Sequence, residues 1–269
     1  MISLKEINGV KFLQSGLLRS KHAFSTRVGG VSELPHTSSL NLAFGRGDAD
    51  ETVLENIRLF SEAVGIDGKS IISVPQIHSA EVKVVSRAEK GYGVYRSSPF
   101  SCDGYVTQDK DIALGVKTAD CVPILMEARN DEDDVIAVSA IHAGWRGTAA
   151  RIAGVGVEKL AALGAKPEKI FVAIGPCIHR CCYEVGESFC NEIKEKLGEN
   201  YDNRSMISSK NGKLYADLVK MNLNVLLSCG IPEENIDVSG YCTCCNPELF
   251  YSHRASGGIR GTMMSVIQM

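Results

Sequence analysis

Three side chains of this 269-residue chain stand where zinc or thiol chemistry could be built. His78 lies in PQIHSAEV, just ahead of a β-like run. Cys121 lies in KTADCVPILM, between two such runs. His142 lies where the apolar run VIAVSAI (135–141) meets the glycine-rich turn HAGWRG. Strand ends and the loops beyond them are where α/β chains commonly assemble ligand sites. Thiolate and imidazole both suit zinc, and three protein donors leave a fourth position for water or substrate. An ion so held can bring the pKa of water down to about 7. Cys121 and His142 would equally serve as the nucleophile and base of a metal-free hydrolase. Taken singly, a histidine at a strand end is more often simply hydrogen-bonded, and a lone cysteine is more often core filler. Spacing alone leaves these readings open.

Other chemistry-bearing clusters compete. CIHRCC (177–182) and CTCC (242–245) gather thiols that could together build a closed thiolate site. They do not repeat the paired C-x₂-C knuckles of zinc ribbons, so partly buried thiols in turns are the plainer reading. Arg27 in STRVGG, Arg146 in GWRG, and Arg254 and Arg260 in SHRASGGIRG are arginines in glycine-rich surroundings. Glycine lets a backbone approach an anion, and guanidinium grips phosphate through two bonds. Each arginine alone is more commonly a surface or ion-pair residue. Trp145, the only tryptophan, could stack on a base or pack in the core. No dinucleotide fingerprint and no GxxxxGK[ST] phosphate loop is present.

The elements that must position these groups follow from composition and periodicity. At 29.0 kDa, 44% hydrophobic and 23% charged, the chain can bury a sizeable core. No linker divides it, so residues 1–269 are expected to form one domain. A net charge of −3 and a pI near 6.1 argue against a nucleic-acid backbone binder. No apolar run reaches membrane-spanning length, and the N-terminus does not read as a secretory signal. A cytoplasmic protein is therefore expected, with its ten cysteines buried, metal-bound or catalytic. Strands are expected at 22–27, 71–74, 81–86, 112–117, 135–141, 170–175 and 235–241, with a closing strand in MMSVIQM. Val53, Ile57, Phe60 and Val64 repeat at helical spacing behind Asp48 or Asp50 as cap. Further helices are expected over 148–163, ending at Gly164, and near 186–197 and 214–229. The succession 135–141, helix, 170–175 suggests a crossover unit.

Several segments, in order, resemble the bacterial YfiH-like family, also called the laccase-domain or multicopper polyphenol oxidoreductase family. They are FSTRVGGVS with SLNLAFGRGD, PQIHSAEV, CDGYVT, GVKTADCVPI, IHAGWRG, IGPCIHRCCYEVG and CTCCNPELFYSHR. The resemblance implies an α+β fold, with mixed β-sheets in the centre flanked by helices. It implies a Zn²⁺ site made by His78, Cys121 and His142. It also implies purine nucleoside chemistry: phosphorolysis of adenosine, inosine and S-methyl-5′-thioadenosine, and deamination of adenosine. Purine nucleosides and phosphate are then the partners of a monomer or homodimer. Arg27, Asn41 and Gln76 lie in matching segments as substrate-binding candidates, and Arg146 and Arg260 are weaker candidates for phosphate. Gly261 and Thr262, between Arg260 and the final strand, depart from the family pattern. Cys244 and Cys245 are given no family role. Asp103 and Asp120 are candidate proton carriers, and turn capping explains them equally well. The laccase label meets a chemical obstacle. Six histidines and no His-x-His pair are too few imidazoles for a four-copper oxidase, although one His₂Cys site could hold copper.

Overall fold

The computed structural model describes residues 1–198 and 202–269. The N-terminal part contributes β1 (Ile2–Ile7), β2 (Val10–Ser15), β3 (Lys21–Ser25), α1 (Asp50–Val64) and β4 (Ile71–Ile72). The middle contributes β5 (Val82–Val84), β6 (Gly104–Thr107), β7 (Ala113–Thr118), β8 (Val122–Arg129), β9 (Val135–Ala143), α2 (Trp145–Ala149), α3 (Ile152–Ala162) and β10 (Ile170–Ile174). The remainder holds β11 (Glu184–Val185), α4 (Glu187–Leu197), α5 (Asn203–Met206), β12 (Ile207–Lys210), β13 (Lys213–Ala216), α6 (Leu218–Ser228), β14 (Ile236–Val238) and β15 (Met263–Gln268).

Two six-stranded mixed sheets carry the fold, in the orders β1-β2-β3-β15-β7-β4 and β14-β10-β8-β9-β6-β5; β11, β13 and β12 make a small third sheet. This is the α+β arrangement expected. The two large sheets face each other through Phe24, Leu114, Val116, Tyr105, Leu125 and Val138. On the outer side of the first sheet, Val53, Ile57 and Phe60 of α1 pack on Phe12, Ala23 and Val266. On the outer side of the second, Ile152, Val157 and Leu160 of α3 and Val225 of α6 pack on Met126 and Ile141. Strand β9 is covered on both faces, which is why its residues 135–141 are apolar on both faces, Ser139 apart, rather than alternating.

The differences from expectation have local causes. The expected helix over 148–163 is two helices, because Arg151 adopts a left-handed conformation (φ 58°) between them. Gly147 of α2 lies against Ser79 O of the loop bearing His78, while Ile152 and Leu160 of α3 pack on the second sheet. Gly164, at φ 95°, ends α3 as expected. Neither aspartate caps α1: Ala49 occupies the cap, Asp50 is the first helical residue, and Asp48 instead binds Ser32, Thr37 and Asn41. The start of the expected helix 214–229 is strand β13, and α6 begins after Asp217, whose carboxylate caps Lys220 N–H. The β1–β2 hairpin was not anticipated, although its Asn8–Gly9 turn, with both residues at positive φ, is a strong hairpin signal. The crossover from β9 through α3 to β10 exists, with β8 inserted between the two strands.

One buried ion pair joins the two sheets. Glu127 on β8 accepts N–H bonds from Arg19 and Ser20 in the β2–β3 turn, and Arg129 donates to it at 2.7 Å. Arg129 also lies 3.8 Å over the Phe171 ring and donates to Leu17 O. Removing Glu127 leaves the buried Arg129 with only the exposed Asp133, 3.6 Å away, as a carboxylate partner among the described residues. Glu127→Ala is therefore expected to cost about 3–5 kcal/mol of stability, measured by urea unfolding; an unchanged midpoint would contradict this account.

Candidate metal centre and its cavity

The three sequence-selected donors meet, although His78 comes from one loop, Cys121 from a turn between sheets and His142 from a strand end. One ligand atom from each lies within 4.8 Å of the other two. The strand ladder explains two of the three. Pairing of Val122 with Ala143 brings Cys121, one residue before β8, alongside the end of β9. Pairing of Gly104 with Ile141 brings Asp103, one residue before β6, alongside His142, whose N–H donates to Asp103 O at 2.7 Å. Asp120, at φ 96°, makes the sharp turn by which the chain leaves β7 in one sheet and enters β8 in the other.

The Asp103 carboxylate gathers the third donor. Its Oδ1 accepts His142 Nδ1–H at 2.8 Å and His78 N–H at 3.0 Å. Its Oδ2 accepts Ser79 N–H and Ser79 Oγ–H, each at 2.7 Å, and Ile77 N–H at 3.3 Å. The loop is thereby held with His78 in a left-handed conformation (φ 57°). Because Nδ1 of His142 carries the proton given to Asp103, Nε2 is the nitrogen left for a metal, the usual carboxylate–histidine support of a metal ligand. The two imidazole rings sit edge to face, 4.9 Å between centroids. Gly144 closes the back of the group: a Cβ there would stand 3.0 Å from the His78 ring, 3.3 Å from Cys121 Sγ and 3.5 Å from the His142 ring.

Electrostatics prepares these donors. Burial alone would raise the Asp103 carboxyl, but the hydrogen bonds from His142 and Ser79 outweigh it and hold it at about 2. Burial likewise opposes ionisation of Cys121, yet the two imidazoles, His142 foremost, draw the thiol down to about 6. Burial works against the His142 imidazolium too, while the Cys121 sulfur and Asp103 raise it to about 9. A thiolate and two imidazoles suit a borderline-soft divalent ion such as zinc. No fourth histidine, cysteine or carboxylate joins the group among the described residues. His78 is exposed and Cys121 half-buried, so the open face looks outward.

That face forms part of the wall of a cavity of about 810 Å³, within the range of small-molecule sites. Arg46, Lys117 and Arg260 line the same cavity, and none makes an ion pair with a carboxylate among the described residues. Burial, then the charge of Arg46, lowers Lys117 to about 8; the same two causes lower Arg260. Arg260 Nη1 binds Gly261 O and Thr262 Oγ1, while its Nε is buried without a partner. Phe44, Leu54, Val94 and Tyr95 supply apolar wall.

The remaining sequence-selected residues are placed differently. Gln76 lines the cavity, and its amide pairs with the Lys117 backbone at 2.7 and 2.8 Å, pinning the His78 loop to β7. Asn41 lies buried behind the wall, binding Ala43, Asp48 and Thr262. Arg27 lies outside the cavity, bonded to Ser38 O and Pro247 O and stacked 4.6 Å over Tyr251. Arg146 is exposed and stacks 4.3 Å over Trp145, which packs on Phe189. Asp120 is bonded to Thr243 Oγ1 and Arg254 N–H and does not line the cavity. Lys117 and Arg46 were not selected from sequence, although both lie inside the segments GVKTADCVPI and SLNLAFGRGD.

Residues 21–269 match the family model described as multi-copper polyphenol oxidoreductase laccase. The chain belongs to this family. It is 33% identical over 250 residues to purine nucleoside phosphorylase YlmD of Bacillus subtilis, covering 91% of this chain and 87% of that protein. It is 32% identical over 259 residues to adenosine deaminase RL5 from an unknown prokaryotic organism, covering 96% and 95%. Its fold matches the crystal structure of the Bacillus licheniformis hypothetical protein YfiH with a TM-score of 0.89 at 28% identity, covering 99% and 98% of the two chains.

Two outcomes check the centre. Asp103→Asn is expected to weaken metal affinity about 10- to 100-fold, read by competition with a chromogenic chelator; unchanged affinity would remove Asp103 from its supporting role. In chelator-stripped protein, a depressed thiol pKa leaves thiolate above it, so alkylation at Cys121 should persist as pH falls to about 6 and fade below. Peptide mapping of the alkylated protein reads this, and loss of reactivity already at pH 8 would contradict it.

Proposed function

We propose that this chain is a zinc-dependent purine nucleoside enzyme, phosphorolysing adenosine, inosine and S-methyl-5′-thioadenosine and deaminating adenosine. The observation that carries the reading is the meeting, in one cavity, of an outward-facing His₂Cys donor set and the cations Arg46, Lys117 and Arg260, none of them ion-paired with a carboxylate among the described residues. The names of the two curated relatives support it.

His78, Cys121 and His142 would hold the zinc, which when bound supplies a Lewis acid with an open coordination position. The other roles belong to the protein's own groups. In phosphorolysis a phosphate oxygen bonds to C1′ of the ribose while the C1′–N9 bond breaks and its electron pair leaves with the purine. Arg46, Lys117 and Arg260 would fix the phosphate and offset its charge, a task for preorganised cations in a partly buried site. Phe44, Leu54, Val94 and Tyr95 would receive the apolar faces of the nucleoside. Deamination replaces the C6 amino group by an oxygen from water and releases ammonia. It consumes no phosphate, so the cation cluster is dispensable for it.

The oxidase suggested by the family description finds little support. Two imidazoles and one sulfur make the only histidine-containing donor group among the described residues, whereas a four-copper centre needs many more imidazoles. A metal-free hydrolase using Cys121 and His142 would keep its activity in chelator.

Pure protein incubated with adenosine and phosphate is expected to yield adenine with ribose 1-phosphate, and inosine, separated by chromatography. Detecting neither product would overturn the proposal. Lys117→Ala and Arg46→Ala are each expected to raise the KM for phosphate about 10- to 100-fold, the weight of a charged hydrogen bond. Zinc content and deamination should be retained in both; equal loss of the two activities would remove these residues from phosphate binding.

A further inference from the structure

A second set of metal-ligand side chains gathers on the far side of the Asp120–Cys121 turn. Ligand atoms of Cys181, Cys182, Cys242 and Cys245 all lie within 4.8 Å of one another. Cys181 and Cys182 come from the loop after β10, and Cys242 and Cys245 from the loop after β14. The two loops are joined by an isolated backbone β-pairing of Cys177 with Cys242, by Thr243 N–H to Cys177 O at 2.9 Å and by His179 N–H to Cys242 Sγ at 3.4 Å. Cys242 and Cys245 have the C-x₂-C spacing at which one loop presents two thiolates to one ion.

Geometry separates the ways such thiols can be used. Cys245 Sγ lies 3.5 Å from Cys181 Sγ and 3.3 Å from Cys182 Sγ. A disulfide requires about 2.05 Å. Four sulfurs arranged tetrahedrally at zinc–sulfur distances of about 2.3 Å stand about 3.8 Å apart. One sulfur contacting two others, with a fourth nearby, is the pattern of a shared ion rather than of one S–S pair. The N–H bond from His179 to Cys242 Sγ is the kind of donor that supports a coordinating thiolate.

We propose that Cys181, Cys182, Cys242 and Cys245 form a closed, structural Cys₄ zinc site, distinct from the open His₂Cys group. Zinc exchanges with the four thiol protons, leaving a centre of net charge −2. Arg254, bonded to the carbonyls of Cys182 and Glu184, brings a positive charge to the same loop. The ion staples the two loops together and, through them, the turn that presents Cys121. Thr243 donates to Asp120 Oδ1 at 2.6 Å, Arg254 N–H donates to Asp120 Oδ2 at 2.7 Å and Ile178 N–H donates to Asp120 O at 2.9 Å. The closed site thus positions a ligand of the open one without touching substrate.

The test removes the open site and asks whether metal remains, so it does not depend on any nucleoside activity. Cys121→Ser protein, purified without chelator under reducing conditions, is expected to hold about one zinc per chain by mass-spectrometric metal analysis. X-ray absorption at the zinc edge should show a shell of sulfur only. Adding Cys245→Ser should abolish that zinc and lower the melting temperature. If this variant does not fold, Cys245→His should fold, restore the zinc and show three sulfurs and one nitrogen. A zinc-free Cys121→Ser protein, nitrogen ligands in its shell, or disulfide-bonded cysteines in freshly prepared wild-type protein would each overturn the proposal. So would a folded Cys245→His protein without the ion.

Discussion

A single buried carboxylate organises the candidate metal centre. Asp103 lies where its side chain is shut off from water, and a carboxylate there is tolerable only if its oxygens are fully bonded. The partners that satisfy it belong to the centre itself: the His142 ring, the backbone of the His78 loop and both donors of Ser79. The cost of burying the charge and the demand for fixed donors are thus met by the same bonds. Two of the three candidate donors take their orientation from one side chain, and the third is set by the ladder that places Cys121 beside β9.

Beyond the donors, the cavity has a division of labour rooted in where each element comes from. The metal group grows from the ends of the second sheet. Lys117 belongs to β7 of the first sheet, Arg46 to the loop ahead of α1, and Arg260 to the loop ahead of β15. The seam between two facing sheets therefore brings the His₂Cys donors and a cationic wall together without either belonging to one local motif. Gln76 ties the halves, because its amide pairs with the Lys117 backbone two residues before His78.

How much of this was legible depended on what makes each residue matter. His78, Cys121 and His142 were visible because metal ligation demands particular side-chain types, and few such residues stand at strand ends. Asp103 was visible only as a possible proton carrier, since its true surroundings are two loops and a strand distant in sequence. Lys117 and Arg46 went unselected because lysine and arginine are ordinarily surface residues; their significance lies in lining the cavity with no carboxylate partner among the described residues. Arg27 and Asn41 stood in matching segments, yet their side chains bind the chain's own backbone and neighbouring side chains. Among the elements, α1 was legible from its apolar spacing, while the break at Arg151 was not, because a left-handed arginine inside a helical pattern carries no local signal.

By itself the sequence determined the donor chemistry, the buried strands and the absence of enough imidazole for a multinuclear copper centre. Those are properties of residue type and short-range periodicity, which a linear text preserves. Only the tertiary structure decided which donors meet, which nitrogen of His142 is free, which cations lack a carboxylate partner among the described residues, and that four cysteines from two loops converge behind Cys121. Each of these depends on strand register and burial, quantities set by contacts between residues far apart along the chain.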